Sequence, residues 1–149
     1  MYGTPGSGKT RTVVEIVRQL APRHRLLLCA ATEGSVTALC AAIVKDFPGL
    51  AAMLFRVYSP STVSGEPLRF TCNFDVASCT FGVPKGDVLR HFSIVATTFR
   101  TAGVLVQAGL GPGYFSYIIT DQCDRVPEVE ALLALVFATP NTRCVLYIL

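Results

Sequence analysis

Hydrophobic positions along the chain follow two rhythms. Short continuous apolar runs, rich in leucine or β-branched residues, occur at Leu26 to Ala31, Leu54 to Tyr58, Ser93 to Thr97, Tyr117 to Thr120 and Cys144 to Leu149. Runs of that length and kind are expected of strands buried on both faces. Between them the period lengthens. Val13, Ile16, Val17 and Leu20 share one helical face, and Val36, Leu39, Cys40, Ile43, Val44 and Phe47 keep i, i+3, i+4, i+7 spacing over three turns. A third helix is predicted over Phe99 to Gln107. A fourth starts at Pro127, where proline suits the first helical position and Glu128 and Glu130 suit the positive end of the helix dipole. Its Val129, Leu132, Leu133 and Val136 are expected to face the sheet. Strands alternating with helices predict an α/β fold, a mostly parallel sheet with helices on both faces.

The stretch 59–86 breaks this rhythm. It is rich in Ser, Thr, Pro, Gly and Cys, has weak strand character around Phe70 and Phe81, and reads as a surface insertion. Only Met1 and Tyr2 stand where a strand should lead into the first glycine-rich turn, and the chain stops inside its last apolar run. Residues 1–149 are therefore expected to be one partial domain with a truncated first strand.

Composition narrows the class. Thirteen basic and ten acidic side chains leave a net charge of +3, too balanced to mark a nucleic-acid binder by charge alone. Apolar residues make up 51% and charged residues 15%, against about 25% charged in an average soluble domain, which excludes a disordered tail. The longest apolar run, Ala131 to Ala138, falls short of the roughly 18 residues of a membrane span, and no leader pattern opens the chain. Neither membrane insertion nor secretion is expected. Six scattered cysteines without a C-x2-C pair, and only His24 and His91 as imidazoles, predict reduced thiols in a reducing, intracellular compartment rather than a metal cluster.

Chemistry enters at residues 3 to 10, Gly3-Thr4-Pro5-Gly6-Ser7-Gly8-Lys9-Thr10, a complete G-x4-G-K-T loop opening the first helix. Glycines permit backbone conformations closed to other residues, so successive N–H groups can converge on phosphate oxygens, and the helix behind adds the positive end of its dipole. In such a loop Lys9 reaches the β- and γ-phosphates and the Thr10 hydroxyl binds Mg²⁺. A carboxylate at the end of a neighbouring strand completes the metal site, and Asp121 after Tyr117-Ile118-Ile119-Thr120 fits that need. Many nucleotide hydrolases place glutamate next, to take a proton from the attacking water. Here the residue is Gln122, which hydrogen-bonds water but accepts no proton, a loss typically of about 10²- to 10⁴-fold in rate. Asp124, just before the Pro127 helix, is expected to cap it.

These segments together resemble a known family. Tyr2 to Thr10, Leu28-Cys29-Ala30-Ala31-Thr32, Thr97-Thr98-Phe99-Arg100-Thr101-Ala102-Gly103 and Gly113 to Asp121 are similar, in order and spacing, to the first RecA-like domain of Upf-like superfamily 1 RNA helicases. Cys72-Asn73-Phe74-Asp75, the Thr-Ala-Gly turn and Pro127-Glu128 resemble the Moloney-leukaemia-virus-ten and Armitage branch. The resemblance implies a P-loop NTPase domain using ATP and Mg²⁺ to move along single-stranded RNA, in cytoplasmic roles such as RNA silencing, with a second RecA-like domain beyond this chain. It puts Asp121 and Gln122 at the metal-binding and water-activating positions, and Thr32 and Thr98 where family members touch the RNA backbone. Read without the resemblance, each threonine ends a strand and serves to bond a loop backbone.

Two departures bear on activity. The family's Asp-Glu-Ala-Gly is Asp121-Gln122-Cys123-Asp124 here, and its Ser-Asn-Ser is Thr32-Glu33-Gly34, where Glu33 is expected to repel phosphate. Arg23-His24-Arg25 reads as a solvated turn, and Arg100 as an exposed helical arginine that could meet phosphate. Three function classes follow: an RNA helicase motor domain, a non-catalytic nucleotide- or RNA-binding module, and another P-loop enzyme such as a kinase. The last would want a basic lid, and the chain holds only three lysines, one of them Lys9.

Overall fold

The computed structural model describes residues 7–62 and 70–148, with the backbone alone for 144–148. Five strands form one sheet: β1 (Leu26–Ala30), β2 (Leu54–Arg56), β5 (Ile94–Thr98), β6 (Tyr117–Asp121) and β7 (Cys144–Ile148), in the order β2-β5-β1-β6-β7. Every pairing in it is parallel. Register aligns the strand ends, so Ala30 is level with Thr98 on one side and with Asp121 on the other.

Alternation along β1 divides the core. Leu26, Leu28 and Ala30 face α1 (Lys9–Leu20) and α2 (Glu33–Asp46), packing on Val13, Val14, Val17, Val36, Leu39 and Ile43. Leu27 and Cys29 face the opposite layer, where α3 (Gly86–Leu89) supplies Leu89 and α4 (Ala102–Gln107) supplies Ala102 and Leu105. Both faces of the central strands are thus covered, which is why they are apolar at every position. This is the α/β architecture with helices on both faces that the hydrophobic pattern predicts, and the RecA-like P-loop fold that the resemblance implies.

The helices differ from expectation in two places. The third helix starts at Ala102, because Thr98 Oγ1 accepts from the Thr101 amide at 3.2 Å and bonds its hydroxyl at 2.9 Å, holding residues 98–101 in a turn. The fourth, α5 (Glu128–Leu132), gives way to a 3-10 turn over Leu133–Phe137. At three residues per turn the inward stripe becomes Ala134 and Phe137, and Val129, Leu132 and Val136 point outward instead of facing the sheet. Asp124 makes no cap either: it lies in a short 3-10 turn, Cys123–Arg125, and Pro127 holds the cap position of α5.

Within the segment 59–86, β3 (Phe74–Asp75) and β4 (Thr80–Phe81) form a small antiparallel hairpin, and Phe70 lies outside both strands. Asn73 ties the hairpin to the sheet edge: its side chain accepts from the Tyr58 amide at 2.8 Å and donates to the Tyr58 and Gly82 carbonyls at 2.9 and 2.7 Å. Beside it lies a residue the sequence reading passed over. Arg56, inside an apolar strand, has no exposed surface; its guanidinium donates to the Val57 and Ala96 carbonyls at 2.6 and 3.2 Å, stacks 4.4 Å from the Tyr58 ring, and pairs with Glu33 at the start of α2. Among the described residues no helix is long and apolar enough to cross a membrane.

Cys29, Cys40, Cys72 and Cys79 are free thiols, and Cys123 accepts from the Thr120 hydroxyl. Burial pushes the Cys29 and Cys40 thiols up to about 12, and the Arg56 charge only partly offsets this. Alkylation at about pH 8 is therefore expected to modify exposed Cys79 while leaving Cys29 and Cys40 intact until denaturant is added, as peptide mass mapping of native and unfolded protein will report.

Candidate nucleotide cleft

Parallel strands deliver their C-terminal ends, and the loops that follow, to one pole of the domain, where open α/β sheets place ligands. A cleft of about 390 Å³ opens there, lined by Thr10, Thr32, Ser35, Leu39, Asp121 and Gln122 among others. Four of the sequence-predicted site residues thus converge on one cavity although they come from three separate segments.

The first segment is the start of α1. Gly8 has φ +84°, a left-handed conformation that glycine adopts without strain, and it occupies the cap position of the helix. Having no side chain, it offers no side-chain cap to α1, and no acidic residue stands in the first turn to compensate the dipole. Lys9 and Thr10 follow as the first two helical residues. Gly3, Thr4, Pro5 and Gly6 lie outside the described residues; Ser7 is exposed.

The second segment leads from β1 into α2. Thr32 caps α2 in extended backbone, its Oγ1 accepting from the Ser35 amide at 3.0 Å. Its hydroxyl also meets Ser35 Oγ at 2.9 Å, and Ser35 Oγ in turn donates to Gln122 Oε1 at 2.9 Å. Three polar side chains therefore form one chain across the cleft, from Thr32 through Ser35 to Gln122. Ser35 has a structural role that the sequence reading missed; its position three residues after an N-cap threonine was the available signal. Glu33 beside them is turned to Arg56, so its charge is compensated within the protein rather than set against an incoming phosphate.

The third segment is the end of β6. Asp121 is 8% exposed, and burial raises its carboxyl above the usual aspartate range, opposed by the Gln122 amide and the positive charge of Lys9. Gln122 is one of two non-glycine residues with positive φ among those described, at 57°. That region is sparsely populated and such outliers gather at functional sites. Thr98 lies level with Asp121 two strands away, but it is 6% exposed and its hydroxyl is spent on Thr101. Arg100 is exposed outside any helix and pairs with Glu130 at 2.7 Å.

Comparison with known proteins follows the same lines. A family model described as "AAA domain" matches residues 1–80. The chain is 30% identical over 141 residues to a chicken protein named "Putative helicase MOV-10", covering 91% of this chain and 14% of that protein. It is 30% identical over 160 residues to a human "Probable helicase with zinc finger domain", covering 98% and 8%. With the mouse "RNA helicase Mov10l1" it shares 28% over 144 residues, covering 91% and 11%. The chain thus spans between about a twelfth and a seventh of the length of these relatives. A glycine-begun helix, a strand-end carboxylate and the matching family model lead to one conclusion: the chain belongs to the AAA-domain family and is similar to the helicase domains of the Upf-like superfamily 1 group.

Proposed function

We propose that this chain is the ATP-binding motor domain of an RNA helicase, slowed in hydrolysis because Gln122 stands at the water-activating position. The observation that carries the reading is the convergence of Thr10, Asp121 and Gln122 on one cleft at the N-terminus of α1. In this reading Gly3 to Thr10 wraps the phosphates, Lys9 sets its charge against the β- and γ-phosphates, and Thr10 and Asp121 hold Mg²⁺.

The donor set fits such a cation. Asp121 is buried enough to be disfavoured as a charged group, and Lys9 offsets only part of that cost, so a divalent ion would supply the remaining compensation. When bound, Mg²⁺ neutralises charge developing on the terminal phosphoryl group. The protein's own contribution is positional. Gln122 is held by Ser35 through its amide oxygen, and its NH₂ carries donors only, so it can orient a water but cannot take the proton. Thr32, exposed at the cleft rim, and the turn shaped by Thr98 would meet the RNA backbone, and Thr32 is linked through Ser35 to Gln122. The relative named an RNA helicase supports RNA as the partner, and its greater length leaves room for a second RecA-like domain. A cytoplasmic setting and a role in RNA silencing belong to the same proposal, on the resemblance alone.

Three measurements test this reading. Lys9→Ala is expected to abolish most Mg-ATP binding in calorimetry; equal affinity of the two proteins would overturn the proposal. In the full chain with both motor domains, Gln122→Glu is expected to raise ATP turnover about 10²- to 10⁴-fold with nucleotide affinity little changed. Unchanged turnover with intact ATP binding would favour a non-catalytic nucleotide-binding module. Asp121→Asn tests the cleft's electrostatics directly. Because the folded carboxyl binds its proton more tightly than the unfolded one, wild-type stability falls as pH rises from the ordinary aspartate range through the raised folded value. In chelator, Asp121→Asn should therefore melt higher than wild type at about pH 8, with the difference fading toward about pH 4.

A further inference from the structure

The opposite pole, where the strands begin, carries a second polar cavity of about 470 Å³. Its walls come from the turns before three neighbouring strands: Arg23, His24 and Arg25 before β1, Ser93 before β5, and Tyr114 before β6. The backbone of these turns is fixed. The Leu26 amide donates to the Ser93 carbonyl at 2.7 Å, and the Ser116 amide donates to the Arg25 carbonyl at 2.9 Å. The Arg143 amide, before β7, donates to the Ser116 carbonyl at 2.9 Å and brings a further exposed arginine to the same pole.

Two guanidinium groups share one aromatic platform. Arg25 lies 4.7 Å and Arg90 6.0 Å from the Tyr114 ring centroid, while the His24 ring meets Tyr117 edge-on at 5.1 Å. Stacking restricts the arginine rotamers and leaves their N–H forks free of the ring, so less freedom is lost when they bind a planar or tetrahedral oxyanion. The acidic neighbour Asp87 is 3.9 Å from Arg90 and fully exposed, too weak a pair to neutralise the cluster. Ser93 also lines this cavity, although its hydroxyl oxygen is itself buried and has no hydrogen-bond partner among the described residues.

We infer that this cavity is an exosite for phosphodiester oxyanions of single-stranded RNA, on the pole opposite the nucleotide cleft. Cationic forks on a stacked tyrosine match phosphate chemistry, and arginines arriving from several turns suit successive phosphates better than a single anion. The inference rests on the RNA partner of the proposed function but not on the nucleotide cleft. Five-residue strands separate the two poles by about 16 Å, so RNA held here lies outside the path across Thr32 and Thr98.

The test is fluorescence anisotropy of a labelled 20-nucleotide oligouridylate with the full chain, across a salt series. Replacing both Arg23 and Arg25 by Gln should weaken binding roughly tenfold or more at 0.1 M salt and flatten the slope of log affinity against log salt by about 1.4, two contacts at about 0.7 each. Replacing both by Lys should restore most of the slope, which a merely structural role would not do. Mg-ATP affinity, measured on the same proteins, should not change and shows that they are folded. Wild-type affinity and slope in the Gln variant would overturn the exosite while leaving the RNA helicase reading intact. So would binding of inorganic phosphate at this cavity with RNA affinity unmoved. No RNA binding by the wild-type protein would overturn both.

Discussion

Parallel register is the constraint from which the rest of this domain follows. Because all the sheet's strands run the same way and the central strands β5, β1 and β6 bury both faces, backbone polarity is satisfied inside the sheet and side-chain polarity is pushed to its two ends. Ala30, Thr98 and Asp121 finish level with one another, so the turns after them open onto a common space. A slip of one residue in β6 would exchange the layers facing Ile118 and Ile119 and carry Asp121 away from Thr10. Packing therefore enforces the geometry of the cleft more strictly than any contact within the cleft.

That division also explains the contrast between the poles. The end where strands finish carries Lys9 close to a carboxylate, and a short polar chain from Thr32 to Gln122. The end where strands begin carries arginines stacked on an aromatic ring. The first is the pole of the proposed nucleotide cleft, the second that of the proposed phosphate exosite, and the apolar sheet between them separates one set of charges from the other.

Much of this was legible in the sequence, and the exceptions have physical causes. The five strands and the first two helices are set by local hydrophobic period, so their places are readable within a residue or a few. The places of Lys9 and Thr10 at the start of α1 and of Asp121 at the end of β6 are readable because their spacing from a helix and a strand is itself local. Ser35 and Arg56 were not, since their importance lies in partners 87 and 23 residues away, Gln122 and Glu33. The α5 region misled because the 3-10 turn at Leu133 changes the period within one apolar run, and composition does not distinguish Ala134 and Phe137 from Leu132 and Val136. Glu33 misled for the opposite reason: the family comparison placed it against phosphate, whereas an arginine inside a neighbouring strand holds it.

The Arg56–Glu33 pair has a consequence for how such a domain can drift. A guanidinium with no exposed surface cannot shed its charge, so losing Glu33 alone strands a cation in the core, and losing Arg56 alone empties a large site between β2, β5 and α2 while freeing a carboxylate at the cleft rim. Replacing both with apolar groups of similar volume can be nearly neutral, whereas either single step is destabilising. The effect of a change at either position is therefore conditional on the other, and descendants that have abandoned the pair are expected to have changed both.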